Sequence, residues 1–165
     1  IKSLTGKPVG VLTNGSLLGN ASVREEMAIA DSVSIKLDAV TPEQLQRINR
    51  PVSALTLTQL WFGVEKFCRH YAGNLAVQTM VLSRWSDRDL HHYITQVKHL
   101  APDEIHLTTT TRPRPLTHQL DARGNHLPHS QPYPVQQLKP VSADILQEMS
   151  NQIHAATGIT VKHAL

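Results

Sequence analysis

With 165 residues, 40% of them hydrophobic, the chain is long enough to bury one ordinary core, and one domain is the default. Sixteen basic against thirteen acidic residues leave a net charge of +3 with no basic block, at most a mild pull toward polyanions. A single cysteine, Cys68, excludes an internal disulfide framework and any cysteine-rich metal site made by this chain alone.

No apolar run approaches the roughly 20 residues of a membrane span, and no basic-then-apolar leader opens the chain. The reading is a cytoplasmic protein without a membrane partner. The sequence starts at Ile1 and runs almost at once into strand-like residues. It therefore reads as a fragment whose upstream part is missing.

In chain order, Lys7 to Thr13 predicts a short strand closed by the turn pair Asn14-Gly15. Ser22 with Glu25 predicts a capping box opening a short helix that ends before Asp31. Ser32 to Ala39 is the central strand. Thr41-Pro42-Glu43 opens a helix to about Ile48, and Asn49-Arg50-Pro51 breaks it. A longer helix starts at Thr56 or Thr58 and runs through Tyr71, with Leu57, Leu60, Trp61, Val64, Phe67 and Cys68 at three- and four-residue intervals. Cys68 reads as a small buried residue of that helix.

Leu75 to Ser83 predicts a third strand, Ser86-Asp87 a helix to about Leu100, and Glu104 to Thr109 a fourth strand. His91 and His92 fall on the surface of that helix. The stretch 112–140 holds six of the ten prolines and no sustained period, and predicts an irregular segment. Its His118, His126 and His129, with Asp121, could ligate zinc, although their spacing matches no compact motif. Ser142 then caps a helix through Ala156, and Ile159 to His163 is a last strand. Strands alternating with helices predict an α/β fold, either a partial (β/α) barrel or an open, mainly parallel sheet. The organisation expected is β/α units over 1–111, the proline-rich segment 112–140, and a terminal helix and strand over 141–165 packing on the same domain.

Val33, Ile35 and Leu37 alternate with Ser34, Lys36 and Asp38, so the central strand has one apolar and one polar face. A parallel strand buried on both sides reads as a continuous apolar run, so the polar face must look onto water, a ligand or a polar lumen. Aligning strands by face predicts one pocket near their carboxyl ends, shared by Leu12, Asn14, Lys36, Asp38, Gln78, Met80, His106, Thr108 and Arg112. Lys36 and Asp38, with Cβ atoms about 7 Å apart, either clamp the two ends of a small zwitterion or pair with each other.

Three ordered segments, Thr13 to Leu18, Ala30 to Ala39 and Arg47 to Pro51, resemble strand units of radical S-adenosylmethionine (radical SAM) enzymes. The branch most similar contains the wyosine-type tRNA-modifying synthases. Thr109 to Pro115 resembles that branch's sixth strand and the loop leaving it. The resemblance implies a partial barrel holding S-adenosylmethionine across the strand tops beside a 4Fe-4S cluster, with tRNA an admissible substrate. It implies cofactor contacts from Asn14, Ser34, Lys36, Asp38 and Gln78, and substrate contacts from Arg50, His106 and Arg112. Arg50 suits a carboxylate or phosphate through bidentate hydrogen bonds. The family's three cluster cysteines and glycine-rich second strand are absent, which implies that a missing N-terminal segment of the same barrel carried them. The alternative is a cluster-less α/β module binding a nucleotide or another phosphorylated ligand.

Overall fold

The computed structural model describes residues 1–51, 55–110, 113–116 and 133–164. A one-turn helix, α1 (Lys2–Thr5), which no sequence pattern announces, precedes the first strand, β1 (Gly10–Thr13). Lys2 Nζ donates to Asp31 Oδ1 at 2.6 Å, and Asp31 Oδ2 accepts the Val9 amide at 2.7 Å. Strand β1 is thus shorter than Lys7 to Thr13, because a side chain takes over the pairing at its start.

Helix α2 (Ala21–Met27) begins two residues earlier than the capping box predicts. Its N-cap is Asn20, whose side-chain Oδ1 accepts the Ser22 amide. The central strand is β2 (Ser32–Lys36), followed by α3 (Pro42–Gln44) with Thr41 as N-cap. One π-helical turn, Leu45–Asn49, continues α3 where the sequence predicts plain helix. Then come α4 (Leu57–Cys68) under a full Thr56/Gln59 capping box, β3 (Asn74–Met80), α5 (Asp87–Leu100) and β4 (Glu104–Thr108). Two short strands, β5 (Arg114–Pro115) and β6 (Val135–Gln136), pair antiparallel inside the segment predicted to be irregular. The chain closes with α6 (Ala143–Thr157) and β7 (Thr160–Ala164). Arg112, His118, Asp121, His126 and His129 lie outside the described residues.

One five-stranded, all-parallel sheet runs in the order β1-β2-β3-β4-β7. Its period of two sorts the residues by face. Val33, Ile35, Leu75, Val77, Ile105 and Leu107 are buried against Leu60, Val64 and Phe67 of α4, Tyr93 and Val97 of α5, and Leu146 and Ile153 of α6. On the other face Gly10, Leu12, Ser34, Lys36, Ala76, Gln78 and His106 all keep solvent exposure. Parallel sheets are normally covered on both sides, so this open face is the feature the fold holds available. Backbone contact fixes the loop above β1. A Cβ on Gly63 would stand 2.6 Å from the Gly19 nitrogen, so only glycine lets α4 press against 18–19.

Candidate functional site at the upper end of the open face

At the carboxyl end of β2 the main-chain ladder gives way to side chains. Leu37 N–H still donates to the Gln78 carbonyl at 2.9 Å. The next bond of a regular parallel ladder would run from Met80 N–H to the Leu37 carbonyl. Instead Met80 N–H donates to Asp38 Oδ1 at 2.8 Å, and the Leu37 carbonyl takes the Thr79 hydroxyl at 2.9 Å. The Tyr93 hydroxyl backs Thr79 at 2.8 Å, and burial pushes that phenol's pKa up. The central strand therefore ends at Lys36 rather than Ala39.

Asp38 is 2% exposed. Its Oδ2 accepts from Lys36 Nζ at 2.5 Å and from Asn49 Nδ2 at 2.9 Å. A carboxylate this buried needs such partners, and three donors on two oxygens provide them. Of the two roles open to the pair, the structure takes the second: Lys36 and Asp38 bond each other. The Lys36 side chain remains about one-third exposed, and two of the three N–H donors of its ammonium are left for the cavity.

That cavity, about 310 Å³, is lined among others by Asn14, Ser16, Lys36, Asp38, Asn49 and Arg50. Asn14 closes an Asx turn, its Oδ1 accepting Ser16 N–H at 3.0 Å and Ser16 Oγ–H at 2.8 Å, which leaves its NH₂ as donor. Arg50 caps the π turn with φ 48°, a left-handed conformation uncommon for a residue with a side chain. Among the described residues its guanidinium makes no hydrogen bond or ion pair. The cavity wall is thus rich in donors, and its one carboxylate is already engaged.

The single pocket expected from the strand pattern is split in two. Asn14, Lys36, Asp38 and Arg50 come together at the top. Leu12, Ser34 and His106 line a second concavity of about 610 Å³ at the lower end, with Gly10, Ser32, Ala76, Glu104 and Lys162. Gln78 sits between Lys36 and His106 in the cross-strand row and belongs to neither lining. His106 Nε2 lies 2.7 Å from Glu104 Oε1, and Lys162 Nζ bonds the other oxygen of the same carboxylate. The lysine, then the histidine, hold Glu104 below its ordinary pKa of 4.5. His106 is separated from Lys36 by two strand spacings, about 10 Å, which is why it does not join the upper group.

No protein-family model matches the chain. It is similar to UPF0026 protein slr1464 of Synechocystis sp., 44% identical over 167 residues that cover 99% of this chain and 62% of that protein. The chain thus spans less than two thirds of that relative. Its fold is similar to the crystal structure of Streptococcus suis SuiB, with a TM-score of 0.57, 10% identity, and coverage of 94% of this chain and 32% of that one. It is also similar to a radical SAM methyltransferase from Sphaerobacter thermophilus, with a TM-score of 0.54, 14% identity, and coverage of 94% and 39%. A radical SAM enzyme shares this fold. At such identities the likeness concerns architecture alone.

Asn49, Glu104 and Lys162 are site partners that the sequence pattern does not single out. Glu104 could have been found, since it lies two residues before His106 on one strand and shares its face. Lys162 could not, because it depends on the register between β4 and β7. Cys68 is half-buried in α4, and burial pushes its thiol up to about 12. His91 and His92 are exposed, as expected. Among the described residues no three His, Cys, Asp or Glu side chains are grouped to hold a metal, and none of the helices is long and apolar enough to cross a membrane.

Proposed function

We propose that this chain is the C-terminal part of a radical SAM enzyme and that its upper cavity holds part of S-adenosylmethionine. The single observation that carries the reading is the donor-rich cavity at the strand tops of an open parallel sheet, where Asn14, Lys36 and Arg50 converge. Ligands of open parallel sheets gather at that end. The fold likeness to a radical SAM methyltransferase and the ordered sequence motifs support it.

The donor set fits part of the cofactor. Arg50, Lys36 and the Asn14 amide suit its carboxylate and ribose oxygens. Its ammonium needs a strong acceptor, and the one carboxylate of this cavity is already taken by Met80, Lys36 and Asn49. That contact belongs to a segment outside the 165 residues. So do the 4Fe-4S ligands, since one half-buried cysteine does not fit a cluster. When bound, S-adenosylmethionine supplies a sulfonium whose one-electron reductive cleavage gives methionine and a carbon radical. The residues present here would bind and orient it. Ser34 and Gln78 lie on the same face below the cavity, while Arg112 remains a substrate contact by resemblance only.

The partner we propose is the missing N-terminal segment of the same barrel, seated beside β1. Among the described residues that strand is the edge of the sheet, and its Leu12 is 64% exposed. A tRNA substrate rests on the family resemblance alone.

Calorimetric titration with S-adenosylhomocysteine and, separately, with ADP tests the reading. Saturable binding of the first and not the second is the expected result. Binding of ADP alone would move the assignment to the cluster-less nucleotide module. Reading the coding frame upstream of Ile1 adds a second check, with three cysteines in C-x3-C-x2-C order expected.

A further inference from the structure

We infer that Asn49 is a positioning residue: by sharing Asp38 Oδ2 with Lys36, it keeps the lysine's remaining donors available to an anionic ligand group in the upper cavity. The inference rests on the reading of that cavity as a ligand site. It deepens that reading by making the π turn part of the recognition machinery.

The geometry that carries it is the division of one buried oxygen. Asp38 Oδ2 accepts from Lys36 Nζ at 2.5 Å and from Asn49 Nδ2 at 2.9 Å, while Oδ1 is taken by the Met80 amide. Without Asn49, Lys36 would be the one described donor on Oδ2 and would answer the charge of that oxygen alone. With Asn49 in place part of that demand is met, and the Lys36 side chain stays about one-third exposed beside the cavity.

The backbone is built to deliver this amide. Thr41 caps the turn at one end. Gln44, 7% exposed, accepts the Val40 amide at 2.8 Å and donates to Asp89 Oδ2 of α5 at 3.1 Å. From Leu45 the helix widens into a π turn, closed by Arg50 N–H on the Leu45 carbonyl at 3.1 Å. Such a turn holds one residue more than an α turn, and single π turns cluster at functional sites. Here the extra residue swings Asn49 back over β2 and leaves Arg50 against the same cavity. Asn49 and Arg50 are thus delivered by one turn, the first acting through Asp38 on Lys36 and the second lining the cavity.

The test compares wild type, Asn49→Ala, Lys36→Met and the double variant of the full chain by two readouts. Acetylation of Lys36 by acetic anhydride, followed by mass spectrometry with Lys7 and Lys98 as internal references, should slow about threefold in Asn49→Ala. Asn49→Gln, which restores a donor, should recover much of the rate. Affinity for S-adenosylhomocysteine should fall about 5- to 20-fold in Asn49→Ala, and change less than about twofold when the same substitution is made in Lys36→Met. An unchanged acetylation rate overturns the inference, and so does an affinity loss equally large in the Lys36→Met background. Failure of the wild type to bind S-adenosylhomocysteine overturns the cofactor reading instead, and the acetylation rate then decides the role of Asn49. If Asn49→Ala does not fold, Asn49→Leu, of similar size and without a donor, carries the same expectations.

Discussion

At the upper end of the open sheet face, three segments of chain meet on one buried carboxylate. Asp38 collects donors from the end of β2, from β3 and from the π turn, and the donors left over line a cavity of about 310 Å³. At the lower end a concavity twice as large is floored by small residues, Gly10, Ser32, Ser34 and Ala76, and Glu104, His106 and Lys162 pair there, the first two about one-third exposed and the lysine more than half. Removing a lower charge costs little, because water replaces the partner. Removing an upper one strands a buried group. Volume alone would point to the wrong end; the number of independent elements that fix each polar atom points to the upper one.

The sharpest way to break this contrast is at Asp38. Asp38→Ala leaves Met80 N–H and Lys36 without their acceptor, and should lower stability by about 3 kcal/mol in urea denaturation. A loss as small as that of a surface pair would mean that the upper network is not over-determined. Gly63→Ala should cost about 2 kcal/mol by the same measurement, because the new methyl meets the 18–19 backbone at under 3 Å and something must shift. The displaced loop also carries Asn14 and Ser16, so ligand affinity should fall with it.

Arg50→Gly separates function from stability. Glycine accepts φ 48° without strain, so the fold should gain about 0.5–1 kcal/mol, while affinity for S-adenosylhomocysteine should drop about tenfold. Both quantities moving down together would assign Arg50 to the fold.

The smallest effect is expected below. Lys162, then His106, depress the pKa of Glu104 beneath its ordinary 4.5, so the stability this carboxylate contributes is present above that value. It is lost as pH falls through the depressed folded value. Glu104→Gln should flatten that acid limb by about 0.5 kcal/mol or less, as for a partly solvated pair. An effect as large as that of Asp38→Ala would erase the distinction between the two ends.

Much of the scaffold was legible because its signals are local. Val33, Ile35 and Leu37 announce a strand with one oily face, Thr56 or Thr58 announces a helix start, and the alternation of strands and helices announces a parallel sheet. The end of β2 was not legible. Asp38 continues the polar alternation perfectly, yet it leaves the ladder because Met80 and Asn49, 42 and 11 residues away, claim its oxygens. The division of the open face was hidden for a related reason. Strand pattern assigns Lys36 and His106 to one side of the sheet, but only the register shows Gln78 between them and Lys162 beyond. The π turn leaves no composition signal, since LQRIN reads equally well as α-helix.

The central claim is that ligand binds at the upper end of the open face. Backbone amide spectra recorded through a titration with S-adenosylhomocysteine test it most directly. The account predicts shifts at Asn14, Lys36, Asn49, Arg50 and Met80, with Ser32, Glu104, His106 and Lys162 unmoved. Shifts confined to the lower group, or an unchanged spectrum at saturating probe, would contradict it.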